Sequence, residues 1–163
     1  MLSNFKIESP AKLLVSIVVC QLAGAIGSVF TISSIPIWYA SLAKPSFSPP
    51  NWLFGPVWIL LYLLMGIAVY LVWVKGLKTK GVKLAITAFV VQLFLNALWS
   101  IVFFGLQSPF YAFINIILLL ATIVWTIVEL YKLSKPAAYL MIPYLLWVCF
   151  ATILNYSIWM LNA

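Results

Sequence analysis

The stretch LAITAFVVQLFLNALWSIVFFG, residues 84–105, runs for 22 residues without a charged side chain. A helix needs about 20 residues to cross the hydrocarbon core of a bilayer. The run is therefore long enough to span a membrane and too long for a strand. Four more long apolar stretches, with Lys12 and Glu129 as their only charges, flank it at 12–34, 55–74, 110–131 and 137–160. Together they take up nearly the whole chain. They predict an all-α membrane protein, a five-transmembrane-helix bundle that forms a single domain over residues 1–163.

Composition agrees. Of the 163 residues, 66% are apolar and 7% charged, against roughly 25% charged in soluble domains. The net charge of +7 comes from nine lysines against Glu8 and Glu129, with no Arg, His or Asp. The lysines sit singly or in short loops beside apolar spans, so topology explains them better than nucleic acid does. Lys6, Lys12, Lys75, Lys78, Lys80, Lys83, Lys132 and Lys135 share one side, and Lys44 stands alone on the other. The excess of lysine on cytoplasmic loops then predicts a cytoplasmic N-terminus and an outer C-terminus, in the cytoplasmic membrane of a prokaryote. Lys6 and Lys12 ahead of the first span, with Ala23-Gly24-Ala25 inside it, imitate a cleavable signal. The apolar run continues through Ile32, which favours a retained helix. Cys20 and Cys149 lie in apolar runs and read as small buried hydrophobes. Hydrolytic triads and metal centres lack their usual residues, so no metal, no required cofactor and no firm catalytic residue is expected.

The segment from Trp38 to Trp58 holds three tryptophans, four prolines and the single charge of Lys44. Proline fixes its own φ and pushes its predecessor toward extended geometry, so this is a stiff aromatic loop rather than a generic connector. Such a loop suits the lid or floor of an apolar pocket at a membrane surface. Asn51 is a plausible N-cap for the second helix, with Pro56 in its first turn. Within the spans, Trp58, Tyr62 and Met65 share one face, as do Asn96, Trp99, Ser100 and Phe103. Asn115, Thr122, Thr126 and Glu129 fall in a narrow arc, and Pro143, Trp147, Ala151, Leu154 and Asn155 run along one side. Polar groups at membrane depth face the bundle interior or a cavity. Asn115 reads as an interhelical hydrogen bond, Asn96 and Asn155 as pocket-wall residues, and Glu129 as the partner of Lys132. Cys20, Gly24, Gly27, Ser28 and Thr31 form a small-residue stripe for close helix packing. Trp73, Tyr70, Tyr131, Tyr139 and Trp159 read as interfacial anchors. Trp38, Tyr39, Trp52, Trp58, Trp99 and Trp147 are expected to line one aromatic box near the outer side.

These residues resemble the TspO/MBR family, the tryptophan-rich sensory and translocator proteins, also called peripheral benzodiazepine receptors. The resemblance rests on Trp38-Tyr39, Lys44-Pro45, Pro49-Pro50 and Phe54-Gly55-Pro56-Val57-Trp58. It continues through Asn96, Trp99, Ser100, Phe103 and Phe104, then Pro143-Tyr144-Leu145, Trp147, Phe150-Ala151, Leu154 and Asn155. It covers the whole chain. It implies a five-helix bundle, usually dimeric, that binds porphyrins, and in animal members cholesterol and benzodiazepine-type drugs. It implies a cavity toward the helix 1–2 loop, lined by Tyr39, Trp58, Tyr62, Asn96, Trp99, Trp147, Ala151 and Leu154. In one respect the chain departs from the animal members: Leu154 and Tyr156 are present, but no basic residue completes a cholesterol motif.

The expected function is therefore a membrane sensor that binds flat hydrophobic ligands, tetrapyrroles such as protoporphyrin IX. Aromatic faces would stack on the macrocycle, inward amides would orient it, and Lys44 at the mouth would pair with a propionate. The expected partners are membrane lipid, a porphyrin or other hydrophobic small molecule, and a second copy of the chain, with Ala85 and Ala88 as a small-residue contact. The alternatives are passive transport and light- and oxygen-dependent breakdown of a bound porphyrin, the latter resting on Trp58 and Trp147.

Overall fold

The protein is described by a computed structural model covering residues 8–163; Lys6, one of the predicted cytoplasmic lysines, lies outside the described residues. It is 83% helical, with no strand among the described residues. Five helices long and apolar enough to cross a membrane follow in order: α1 (Pro10–Tyr39), α2 (Asn51–Trp73), α3 (Val82–Gly105), α4 (Pro109–Leu133) and α5 (Lys135–Leu161). Helix α5 is interrupted at Met141, between Lys135–Leu140 and Ile142–Leu161. Helix α1 packs on α2 and α3, α3 on α4, and α4 on α5.

The aromatic loop is shorter than expected, because α1 carries on past Ser34. It does so by widening into a π-helical turn, Ile35–Tyr39, closed by the Ala40 amide donating to the Ile35 carbonyl. Pro36 sits at the start of that turn. Helix α3 ends the same way over Ile101–Gly105, where the Leu106 amide reaches the Ile101 carbonyl at 2.8 Å. The two wide turns lie against each other, and the Ser34 hydroxyl donates to the Phe104 carbonyl at 2.7 Å. Turns of this kind are rare and tend to occur at functional sites. Each one re-aims the aromatic pair it carries. Trp38 and Tyr39 from α1 interlock with Phe103 and Phe104 from α3 at ring separations of 5.5 to 6.5 Å.

Several expectations change at this level. Asn51 is not the N-cap of α2: Pro50 holds that position without a side-chain bond, and Asn51 is the first helical residue. Tyr70 is not an interfacial anchor but 3% exposed, since α2 is covered near that end by α1, α3 and the start of α5. Tyr131 and Tyr139 are exposed, and Lys12 lies 5.6 Å from the Trp73 ring. Trp159 packs between Phe110, Phe113 and Tyr156. Cys20 is buried, whereas Cys149 turns outward. Pro143 is exposed while its neighbour Tyr144 turns into the core. Ala85 and Ala88 are fully buried within one chain, so a second copy cannot reach them; they let α3 approach its own neighbours. Glu129 and Lys132 form the anticipated ion pair at 2.7 Å.

Candidate functional site: a charge-free aromatic cavity

A cavity of about 550 Å³ lies between α1, α2, α3 and α5, at the end of the bundle that carries the α1–α2 loop. Helix α4 contributes none of its wall, and none of its lining residues is charged. The geometry begins with small residues on α1. Gly24 allows the Tyr62 ring to lie so close that an added Cβ would stand 2.5 Å from Cε2. At Gly27 the same atom would stand 3.0 Å from the Ser100 hydroxyl. Lower down, Gly66 on α2 permits backbone contact with Ile17. The helices therefore meet tightly below and part above. Gln21 marks the lower limit, its amide donating to the Ile59 carbonyl at 3.0 Å. Above it, the wall between α1 and α2 includes Ile32, Ile59 and Trp52, which are 70%, 61% and 72% exposed. The cavity thus opens through the side of the bundle.

The structure brings Tyr39, Trp52, Trp58, Tyr62, Trp99, Ser100, Phe103, Trp147, Ala151, Leu154 and Asn155 to this cavity. Their rings brace one another. Trp99 stacks on Phe103 at 5.0 Å, Trp58 leans on Tyr62 at 5.5 Å, and Trp147 meets Phe54 edge-on at 6.2 Å. The Trp99 indole donates to Asn155 Oδ1 at 2.9 Å, and Asn155 in turn donates to the Pro109 carbonyl at 2.8 Å. Asn155 therefore ties α3, α4 and α5 together while facing the cavity.

Three predicted members stand elsewhere. Trp38 packs edge-on against Phe103 and Phe104, behind the wall. Asn96 lies beneath the floor in a buried chain of hydrogen bonds. There Tyr62 donates to Asn96 Oδ1, Asn96 to the Tyr144 hydroxyl at 2.9 Å, and Tyr144 to Gln92 Oε1 at 2.9 Å. Gln92 ends the chain at the Met65 sulfur, 3.8 Å away. Asn115, expected to bond between helices, does so to the Leu95 carbonyl at 3.0 Å. Lys44 does not face the cavity. Its ammonium donates to the carbonyls of Tyr39 and Leu42 at 2.8 and 2.9 Å, and to that of Ala40 at 3.4 Å. It closes the end of α1, where carbonyls lack partners and the helix dipole is negative.

The loop over the cavity, residues 40–50, is fastened from the far end of the chain. Asn162 accepts from the Ala43 amide at 3.0 Å and donates to the Ala43 carbonyl at 2.9 Å. Phe47 adds a ring contact to Phe150 at 6.3 Å. This clamp has no signature in sequence. Gly24, Gly27, Ser28 and Thr31 were legible only as a packing stripe, yet they also form the α1 wall, together with Ile35. Phe54, Phe104 and Ile158 join the lining as well.

Comparison with known proteins shows the family of the chain. The sequence model of the TspO/MBR family matches residues 16–160. A tryptophan-rich protein TspO from Archaeoglobus fulgidus is 48% identical over 93% of this chain and 97% of its own length. The human translocator protein is 40% identical over 82% of this chain and 80% of its own. A tryptophan-rich sensory protein from Cereibacter sphaeroides is 34% identical over 77% of each.

Proposed function

Since this chain belongs to the TspO/MBR family of integral membrane proteins, we propose that it is a receptor for flat hydrophobic ligands, tetrapyrroles such as protoporphyrin IX. The observation that carries this reading is a charge-free cavity walled by the rings of Trp58, Trp99 and Trp147. Its volume of about 550 Å³ lies within the range of roughly 300–1,000 Å³ typical of small-molecule sites, which are mostly apolar with a few placed polar groups. Aromatic faces favour a planar ring system through offset stacking. The site needs no axial ligand for a metal, and the chain has no His to supply one. Lys44 is engaged with backbone carbonyls, so it is not held ready as a partner for the propionates of such a ligand.

The binding site faces the outer side. Lys75, Lys78, Lys80 and Lys83 on the α2–α3 connection, Lys132 and Lys135 after α4, and Lys12 beside Trp73 collect at the opposite end, which belongs in the cytoplasm by the distribution of lysine.

The test is a titration of protoporphyrin IX into the detergent-solubilised protein, followed by tryptophan quenching and Soret absorbance. An aromatic contact contributes about 0.5–1.5 kcal/mol beyond area burial, and lost apolar burial adds about 25 cal/mol/Å². Trp58→Ala and Trp147→Ala should each weaken binding about tenfold, while Trp73→Ala, remote from the cavity, should change it little. Equal affinities for all three variants would refute the site. Running the titration in light and in darkness, with and without oxygen, separates binding from photo-oxidative breakdown: with a receptor the Soret band bleaches no faster than that of the same porphyrin in detergent without protein.

A further inference from the structure

A groove of about 500 Å³ runs between α2 and the first turns of α5, at the lysine-rich end of the bundle and remote from the aromatic cavity. Its walls are Ile67 and Leu71 from α2, and Pro136, Tyr139 and Leu140 from α5. The local sequence of α5 makes the second wall. Ala137 and Ala138 take the inner face, 0% and 1% exposed, and let Lys135–Leu140 lie close against α2 and α4. Their larger neighbours stay on the outside, with Tyr139 60% exposed. On a membrane-spanning surface such a groove meets acyl chains.

Charge at its end makes it selective. Lys75, in the turn that closes α2, continues the line of Ile67 and Leu71 at a spacing of four. Lys135 precedes Pro136, and its ammonium is held 5.7 Å from the Tyr131 ring centroid. That ring meets the Tyr139 ring edge-on at 6.3 Å, so the charge stands beside the groove. The one ion pair among the described residues joins Glu129 to Lys132. It leaves Lys75 and Lys135, the two lysines adjoining the groove, without a carboxylate.

We propose that this groove is a site for an anionic phospholipid of the leaflet at the lysine-rich end. One acyl chain lies along Ile67, Leu71, Pro136 and Leu140, and the headgroup phosphate sits between the Lys75 and Lys135 ammoniums. Lysine stems run along apolar surface and carry their charges to headgroup level, and basic pockets between membrane helices take anionic headgroups. A neutral lipid fills the groove but leaves both ammoniums unpaired. A second copy of the chain is a poorer occupant still. Two copies inserted the same way bring one lysine-rich end beside the other, and like charges repel.

Native mass spectrometry of the full chain in detergent reads the site, with dioleoylphosphatidylglycerol, dioleoylphosphatidylcholine and glycerol phosphate as probes. A lysine beside an anionic headgroup is worth about fivefold in affinity. Lys75→Gln and Lys135→Gln should each weaken phosphatidylglycerol binding by about that factor, and together by roughly 10- to 30-fold, with the melting point unchanged. Phosphatidylcholine should bind more weakly at the outset and respond little. Lys78→Gln/Lys80→Gln removes the same charge from the same connection and should leave phosphatidylglycerol binding nearly intact. Equal binding of the two phospholipids would make the groove a generic bed for acyl chains and overturn the inference. The same loss from both lysine pairs would do so too, since it marks a diffuse basic surface. Glycerol phosphate competing as well as the whole lipid would reduce the site to a phosphate patch, and a dimer that expels the lipid would put a second copy in the groove; either result overturns the inference.

Discussion

Replacing Gly24 with alanine tests how the cavity is held open. The new Cβ would lie 2.5 Å from Tyr62 Cε2 and 2.7 Å from Cδ2, about 1 Å inside the 3.5–4.0 Å at which carbons attract. The ring has no cheap way out, because its hydroxyl is fixed to Asn96 at the head of the buried chain through Tyr144 and Gln92. If the ring turns aside, Asn96 loses a partner at about 1–3 kcal/mol, and the ring intrudes on the space it now bounds. If α1 moves away instead, the close approach of Gly66 to Ile17 opens. Overpacking costs about 1–3 kcal/mol by itself, so Gly24→Ala should destabilise by about 2–4 kcal/mol and weaken ligand binding. In a Tyr62→Ala background the same methyl meets empty space and should cost almost nothing. The coupling between the two sites should therefore be about 2 kcal/mol or more. Denaturation of the four proteins in one detergent, followed by tryptophan fluorescence, measures it. A Gly24→Ala cost that is the same in both backgrounds would refute the reasoning.

The clamp on the loop gives a second expectation. Asn162→Ala removes both bonds to Ala43, so amide exchange and proteolysis within residues 40–50 should accelerate about tenfold with little change in the global melting point; an unchanged loop would show that the Phe47–Phe150 contact holds it alone. Topology gives a third. With Cys20 and Cys149 replaced, a single cysteine at Ser46 should react with an impermeant thiol reagent on intact cells and one at Thr79 should not, and the reverse pattern would invert the orientation.

The helices were legible because hydrocarbon tolerates few charges, so each span announces itself as a long apolar run. Much of the cavity was legible for a related reason. Trp58 with Tyr62, Trp99 with Phe103, and Trp147 with Ala151 and Leu154 recur at spacings of three and four, which places them on one face whatever the neighbours are. The misplacements came where that spacing fails or where depth matters. Trp38 and Tyr39 are adjacent, and the π turn decides which of them reaches the cavity. Asn96 shares a face with Trp99 but lies nearly a turn deeper, under the floor. Lys44 was drawn away by carbonyls that α1 exposes only because it ends where it does. Tyr70 and Ala88 show the same limit from the other side. Whether a tyrosine meets headgroups, or an alanine meets a second chain, depends on which helices crowd it, and a single span does not encode that.

The gap between α1 and α2 decides what a measured affinity means. Its edges at Ile32 and Ile59 are exposed on the side of the bundle, where the surroundings are acyl chains rather than water. A ligand reaching the cavity that way equilibrates with the pool dissolved in the bilayer. Its apparent dissociation constant, expressed per litre of aqueous buffer, then contains the partition coefficient as a factor. Each methylene added to a ligand improves partitioning by about 0.8 kcal/mol, close to fourfold, before any protein contact is made. Two compounds that fit the cavity equally well can therefore differ greatly in apparent potency through oiliness alone. Ranked instead by mole fraction in the lipid or detergent phase, they would reveal what the tryptophans themselves discriminate.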